Sequence, residues 1–133
     1  MSLSQDLRGW IEEVERRGEL VKLEGADWDL EIGCLVELNR SKDPPALLFD
    51  RIKGYPSGYR ILTSSHKTRS RIAHTLNIPS GATDMEFLLR LAQSIPVWEK
   101  GAPDFEPERV LSAPFMENVH RGEDIDLLEF PAP

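Results

Sequence analysis

Where the prolines fall constrains this chain more than any other feature. Beyond Ser94 they recur at 96, 103, 107, 114, 131 and 133, too densely for a long helix or a central strand, because each fixes φ and removes a backbone donor. Only Val110 to Val119 leaves room for an extended run. Regular structure must therefore be built upstream. The sequence divides into 1–95, a domain with its own core, and 96–133, a proline-rich linker with a lead-in strand. A length of 133 residues suits one core, burying roughly 65–70% of the extended-chain surface.

Upstream, Leu7, Trp10, Ile11 and Val14 fall at i, i+3, i+4 and i+7, which predicts an amphipathic helix. Asp6 or Ser4 can start it and Gly18 can end it. Glu19 to Glu24 reads as a strand. A second helix is expected from Leu30 to Arg40, with Asp27 or Asp29 at its start and Leu30, Cys34 and Leu38 on one face. Asp43-Pro44-Pro45 stops it. Ala46 to Phe49 and Tyr59 to Thr63 read as neighbouring strands across the turn-rich RIKGYPSG. Ser65 can cap a third helix through Asn77 that buries Ile72, Ala73 and Leu76, ended by Pro79-Ser80-Gly81. Thr83 and Glu86 make a capping box for a fourth, Asp84 to Gln93, with Phe87, Leu88 and Leu91 inward. The fold class is α/β, of the mixed α+β kind: a small mixed sheet covered by about four helices, then a proline-rich extended C-terminal segment.

Composition excludes several function classes. A net charge of −7 argues against a nucleic-acid surface, which wants a basic stripe with aromatic platforms. With 40% hydrophobic and 29% charged residues the chain is globular in character. MSLSQDLRGWIEEVERR carries acids inside its apolar pattern, so it reads as neither a signal peptide nor a membrane span, and a cytoplasmic protein is expected. The single cysteine, Cys34, leaves no internal disulfide and no thiol pair for zinc.

Candidate chemistry concentrates in TSSHKTRSR, Thr63 to Arg71, where hydroxyls, a histidine and three cations precede a helix. A helix start can hold an anion, but without a glycine-rich loop a solvated helix start is the favoured reading for Ser64 to Arg71. His66 and His74, if both helical, lie about 12 Å apart along the axis, too far for one metal ion. His120 is remote from both. Cys34 is expected as a small core residue, and Glu123, Asp124 and Asp126 as a polar turn rather than a calcium loop. Lys53-Gly54-Tyr55-Pro56 reads as a turn. Residue chemistry alone assigns no catalytic, cofactor-binding or metal-ligating residue.

The stretches DLRGWIEEVERRGELVKLEG, DLEIGCLVE, PPALLFDRIKGYPSGYRILTS, SRIAHTL and the closing GEDIDLLEFPAP together resemble the front end of the UbiD family of decarboxylases. The most specific pieces are Arg17-Gly18-Glu19-Leu20, Pro45 to Tyr55, and Gly122 to Pro131. The resemblance implies an N-terminal α/β domain, followed in the complete enzyme by a domain binding prenylated FMN and a C-terminal domain that helps oligomerise, so that the whole is a homo-oligomer. It implies reversible, non-oxidative decarboxylation of aromatic or α,β-unsaturated acids, with a divalent metal (manganese) and potassium beside the flavin. The family's glutamate–arginine–glutamate set and its metal-holding residues lie past the position matching Pro133, so no residue here inherits those roles. The chain is thus expected to be the front of a longer enzyme, inactive alone, with Leu127, Leu128, Phe130 and Trp98 as an apolar patch awaiting cover. The alternative expectation is a free-standing interaction subunit that docks onto a separate catalytic chain. A third, weaker expectation is a small anion- or nucleotide-binding module using Ser64 to Arg71.

Overall fold

The structure, a computed structural model, describes residues 6–79, 81–107 and 109–132. In chain order its main elements are α1 (Leu7–Arg16), β1 (Leu20–Glu24), α2 (Glu31–Leu38), β2 (Ala46–Asp50), β3 (Ile61–Thr63), α3 (Arg69–Thr75) and α4 (Asp84–Gly101). The three strands form one mixed sheet in the order β1-β2-β3. β2 runs parallel to β1, with Leu20 opposite Ala46, and antiparallel to β3, with Phe49 opposite Ile61.

The run Ala46-Leu47-Leu48-Phe49 explains the architecture. A strand with apolar residues at every position must be covered on both faces, and all four are buried. Leu47 and Phe49 pack with Ala26, Ile32 and Ile52, supported by Leu35 and Val36 of α2. Ala46 packs with Trp10 and Val14 of α1. The sheet is therefore sandwiched between two helices that precede and cross over it.

α1 begins where Asp6 accepts a hydrogen bond from the Gly9 N–H at 2.8 Å. It ends as expected, with Gly18 at φ +70°, the left-handed conformation glycine adopts freely. α2 departs from expectation. Its start carries no side-chain cap; instead Asp27 accepts from the Asp29 N–H while Glu31 reaches back to the Asp27 N–H. Leu30 and Leu38 are 77% and 80% exposed, and Cys34 is exposed rather than a core residue. The helix has two apolar stripes, and the sheet takes the one carrying Ile32 because it lies over Leu47 and Phe49.

α3 starts at Arg69, not near Ser65, because Thr68 supplies the cap. It ends through Asn77 at φ +56° and a 2.7 Å bond from the Ile78 N–H to the Ala73 carbonyl. Ala73 is buried, and Ile72 and Leu76 are half-buried. α4 has the expected capping box of Thr83 and Glu86 but runs on past Gln93, through Pro96, to Gly101. Proline costs a helix one hydrogen bond and a clash with the preceding turn; here the helix absorbs both. Val110 to Val119, where an extended run was expected, shows no strand among its described residues, and Pro114–Met116 is a 3-10 turn. Further 3-10 turns span Ala102–Phe105, Gly122–Asp124 and Leu127–Glu129.

The chain resolves into two compact units. Residues 6–79 with 128–132 form the sheet unit, and residues 81–127 form the second. Among the described residues, no helix is long and apolar enough to cross a membrane.

Candidate functional site

On the α1 side of the sheet unit lies a hollow of about 320 Å³ lined by Asp6, Leu7, Trp10, Leu62, Ser65, His66, His74 and Thr75. Four side chains at its wall are wired through one hydroxyl. Thr75 Oγ1 gives its single proton to the Arg71 carbonyl at 2.9 Å. It must then accept from Trp10 Nε1–H at 3.0 Å and from His66 Nε2–H at 3.2 Å. That assigns His66 the Nε2–H tautomer, and its Nδ1 accepts from the Ser65 hydroxyl at 3.0 Å. The imidazole also stacks on Trp10, centroids 5.9 Å apart. Every side-chain polar atom of this group thereby has a partner.

His74 stands differently. Its Nδ1 accepts from Arg17 Nη2 at 3.1 Å, so the proton sits on Nε2, which is buried without a partner. Burial, then the adjacent Arg17 charge, holds this imidazole below its ordinary pKa. Arg17 is itself bound to Glu13 at 2.8 Å, and hydrogen bonds from Arg16 and Arg17 hold the Glu13 carboxyl down at about 2.

The cations of Ser64 to Arg71 are turned to structural use. Arg71 is only 2% exposed and clamps three backbone carbonyls: Ser65 through Nε at 2.9 Å, and Pro44 and Ser64 through Nη2 at 2.7 and 3.0 Å. Its charge faces Glu19 at 3.5 Å, a carboxylate that also accepts from the Ser70 hydroxyl. Lys67 donates to the Asn39 carbonyl at 3.2 Å, and the Thr68 hydroxyl is the α3 cap.

The structure thus brings His66 and His74 to one hollow, which helical spacing did not anticipate because residues 66–68 precede the helix. No group of three or more His, Cys, Asp or Glu side chains converges for a metal ion among the described residues. His120 lies in the second unit, its Nδ1–H donating to the Asp124 carbonyl at 3.0 Å. Glu123, Asp124 and Asp126 are exposed there.

Sequence reading missed two features. Arg71 is a buried clamp, signalled only by its position three residues after a capping threonine. Tyr55 donates its hydroxyl to the carbonyls of Leu128 at 2.9 Å and Phe130 at 3.3 Å. Its ring continues a chain of aromatic contacts from Trp28 through Tyr59 to Phe130. The run KGYPSGY, read as a turn, is also the dock for residues 128–130.

A flavin phosphate needs donors held free for it, and its metal needs converging anionic or imidazole ligands. The hollow fits neither: its hydroxyls and His66 are paired among themselves, and Arg71 is spent on carbonyls.

Residues 11–91 match the family described as the 3-octaprenyl-4-hydroxybenzoate carboxy-lyase N-terminal domain, UbiD_N. The chain is 31% identical to the pyrrole-2-carboxylic acid decarboxylase of Pseudomonas aeruginosa, over 96% of this chain and 26% of that protein. It is 30% identical to a phenolic acid decarboxylase of a Streptomyces species, over 92% of this chain and 25% of that one. Among solved structures, the vanillic acid decarboxylase of Sedimentibacter hydroxybenzoicus in closed form matches with a TM-score of 0.71 and 26% identity, covering 97% of this chain and 26% of the other. The chain therefore spans about a quarter of the length of the curated relatives it matches.

Proposed function

Because the chain belongs to the UbiD family, as its N-terminal domain, we propose that it serves a non-oxidative decarboxylase acting on aromatic or α,β-unsaturated carboxylic acids. The observation that carries this reading is the match of nearly the whole chain to about a quarter of the length of the pyrrole-2-carboxylic acid decarboxylase. The assembled enzyme would use prenylated FMN with manganese and potassium, bound by parts beyond these residues, and would be a homo-oligomer in the cytoplasm. The flavin supplies the electron sink for breaking the carboxyl bond. This domain supplies a rigid wall: a sheet whose central strand is buried on both faces and a hollow in which Trp10, Ser65, His66 and Thr75 are already hydrogen-bonded among themselves.

The test is carbon dioxide release from pyrrole-2-carboxylate and from vanillate. The 133-residue chain with prenylated FMN added should release none. The decarboxylase isolated with this chain in it should release carbon dioxide from an aromatic acid. Turnover by the chain alone overturns the reading.

A second reading has this chain as a separate subunit that docks onto a UbiD-like catalytic chain. It is favoured by α4, which contains no buried residue and so needs cover from elsewhere. Co-purification with a distinct flavin-binding polypeptide distinguishes it from a covalently continuous enzyme.

A further inference from the structure

α4 carries more apolar surface than a helix with one buried side requires. At 3.6 residues per turn, Phe87, Leu91, Trp98, Ile95, Leu88, Ala92, Met85, Pro96 and Leu89 sweep an arc of roughly 200°, against the ~100° stripe of a helix that covers one core. Glu99 interrupts the arc near the C-terminal end, while Glu86, Arg90, Gln93, Ser94 and Lys100, with Val97 among them, occupy the remainder. The two sides of the arc differ in cover. Phe87 and Leu91 on one side are half-buried, with Trp98 between them 48% exposed. The other half is open: Met85 is 65% exposed and Leu88 58%, with Leu89, Ala92 and Ile95 also exposed. Pro96 sits on this open side, and by lacking an N–H it leaves the Ala92 carbonyl without its ordinary donor.

A wide, continuous apolar face on a capped helix marks an interaction surface. What covers it follows from length and likeness. The chain spans about a quarter of each decarboxylase it matches, and its match to the closed vanillic acid decarboxylase extends over 97% of its residues, so a segment matching α4 belongs there to a chain about four times longer. We propose that the open half of α4, centred on Met85, Leu88, Ala92 and Ile95, is the surface on which the catalytic remainder of the decarboxylase docks. The partner would be an apolar helix or sheet face that brings one donor for the Ala92 carbonyl. This rests on the functional reading above and adds to it the residues of the joint.

Met85 provides the probe, since an exposed thioether oxidises readily and a buried one does not. The 133-residue chain and the active decarboxylase isolated with this chain in it are treated with dilute hydrogen peroxide, and sulfoxide at Met85 is followed by mass spectrometry. Oxidation should be at least tenfold slower in the decarboxylase. Equal rates in an active decarboxylase overturn the proposal and leave the functional reading standing. Slow oxidation in the chain alone also overturns it: a dimeric mass would mean that a second copy occupies the face, and a monomeric mass that the chain covers it itself. If no decarboxylase contains this chain, the functional reading has failed and the proposal falls with it. Leu88→Glu gives an independent readout. It should leave the helicity of the chain unchanged and lower the activity of the assembled enzyme at least tenfold, whereas Gln93→Glu on the polar side should do neither; full activity with Leu88→Glu overturns the proposal.

Discussion

β2 has five residues and buries four of them in succession, whereas α4 has eighteen and buries none. Both segments are rich in leucine, so hydrophobicity alone does not separate them. What separates them is the number of neighbours available within their own unit. β2 is the central strand of three, with a helix on each face. Among the described residues of 81–127, α4 is the only α-helix and is followed by short 3-10 turns. The sheet unit owns its core; the second unit holds a well-capped helix whose apolar arc exceeds what its own unit can hide. Stability of the first should be intrinsic and stability of the second conditional.

The sharpest way to break that contrast is Phe49→Ala. Emptying a fully buried aromatic site should cost about 3–5 kcal/mol, much of the stability of a small domain. A urea titration followed by tryptophan fluorescence would register it; a midpoint unchanged from the parent would mean that the double-sided core is not what holds the unit together. Arg71→Met should follow, at about 2–4 kcal/mol, because three buried carbonyls lose their donor. Arg71→Lys should not restore it, since an ammonium lacks the planar fork that reaches several acceptors at once. Full rescue by lysine in the same titration would reduce the clamp to a simple charge.

Thr83→Ala probes the other side of the comparison. Removal of the capping box should cost about 1 kcal/mol, and because no buried residue holds α4 in place, the loss should appear as fraying of that helix. Amide exchange should quicken across Asp84–Gln93 and stay unchanged in β2. Equal quickening in both would mean that the units stand or fall together.

The smallest effects are those of pH. Glu13 has its carboxyl lowered to about 2 by Arg16 and then Arg17, against an ordinary 4.5. A depressed carboxylate contributes stability that is full above its unfolded pKa and is lost as pH falls through the folded value, so the contribution should fade between pH 4.5 and about 2. Exposure to solvent keeps it small. His74 acts at higher pH: its folded pKa lies below the ordinary 6.5, so the unfolded chain binds the proton first and stability should decline as pH drops below that value. Glu13→Gln and His74→Phe should each flatten their own portion of a plot of urea midpoint against pH.

How much of this was legible in the sequence depended on whether one local pattern admitted one answer. α1 has a single apolar stripe, an acidic cap and a terminal glycine, and it formed as expected. Thr83 and Glu86 likewise allowed one geometry. α2 offered two stripes, Leu30-Cys34-Leu38 and Ile32-Leu35-Val36, and only the sheet could choose between them; it took the second, leaving Cys34 exposed. Ser65 was expected as the cap of α3, but Thr68 takes that place, and the loop before it instead holds the Arg71 guanidinium through the carbonyls of Ser64 and Ser65. Pro96 signalled a stop that α4 ignored, because a proline in an exposed helix bends it without forcing its end. The hollow shared by Trp10, His66 and His74 was not legible at all, since it joins elements far apart along the chain.

The hydroxyl of Tyr55, bonded to the carbonyls of Leu128 and Phe130, has a consequence for how this family can vary. Together with the ring of Phe130 against Tyr59, it closes the excursion of residues 81–127 into a loop whose two feet both stand on the sheet unit. Closing a longer loop costs little, about 0.6 kcal/mol for each doubling of length. Insertions and deletions between the feet should therefore be cheap over evolutionary time. The Tyr55 clasp is the expensive point, since losing it would release residues 128–130 from the sheet unit and leave the returning foot unanchored.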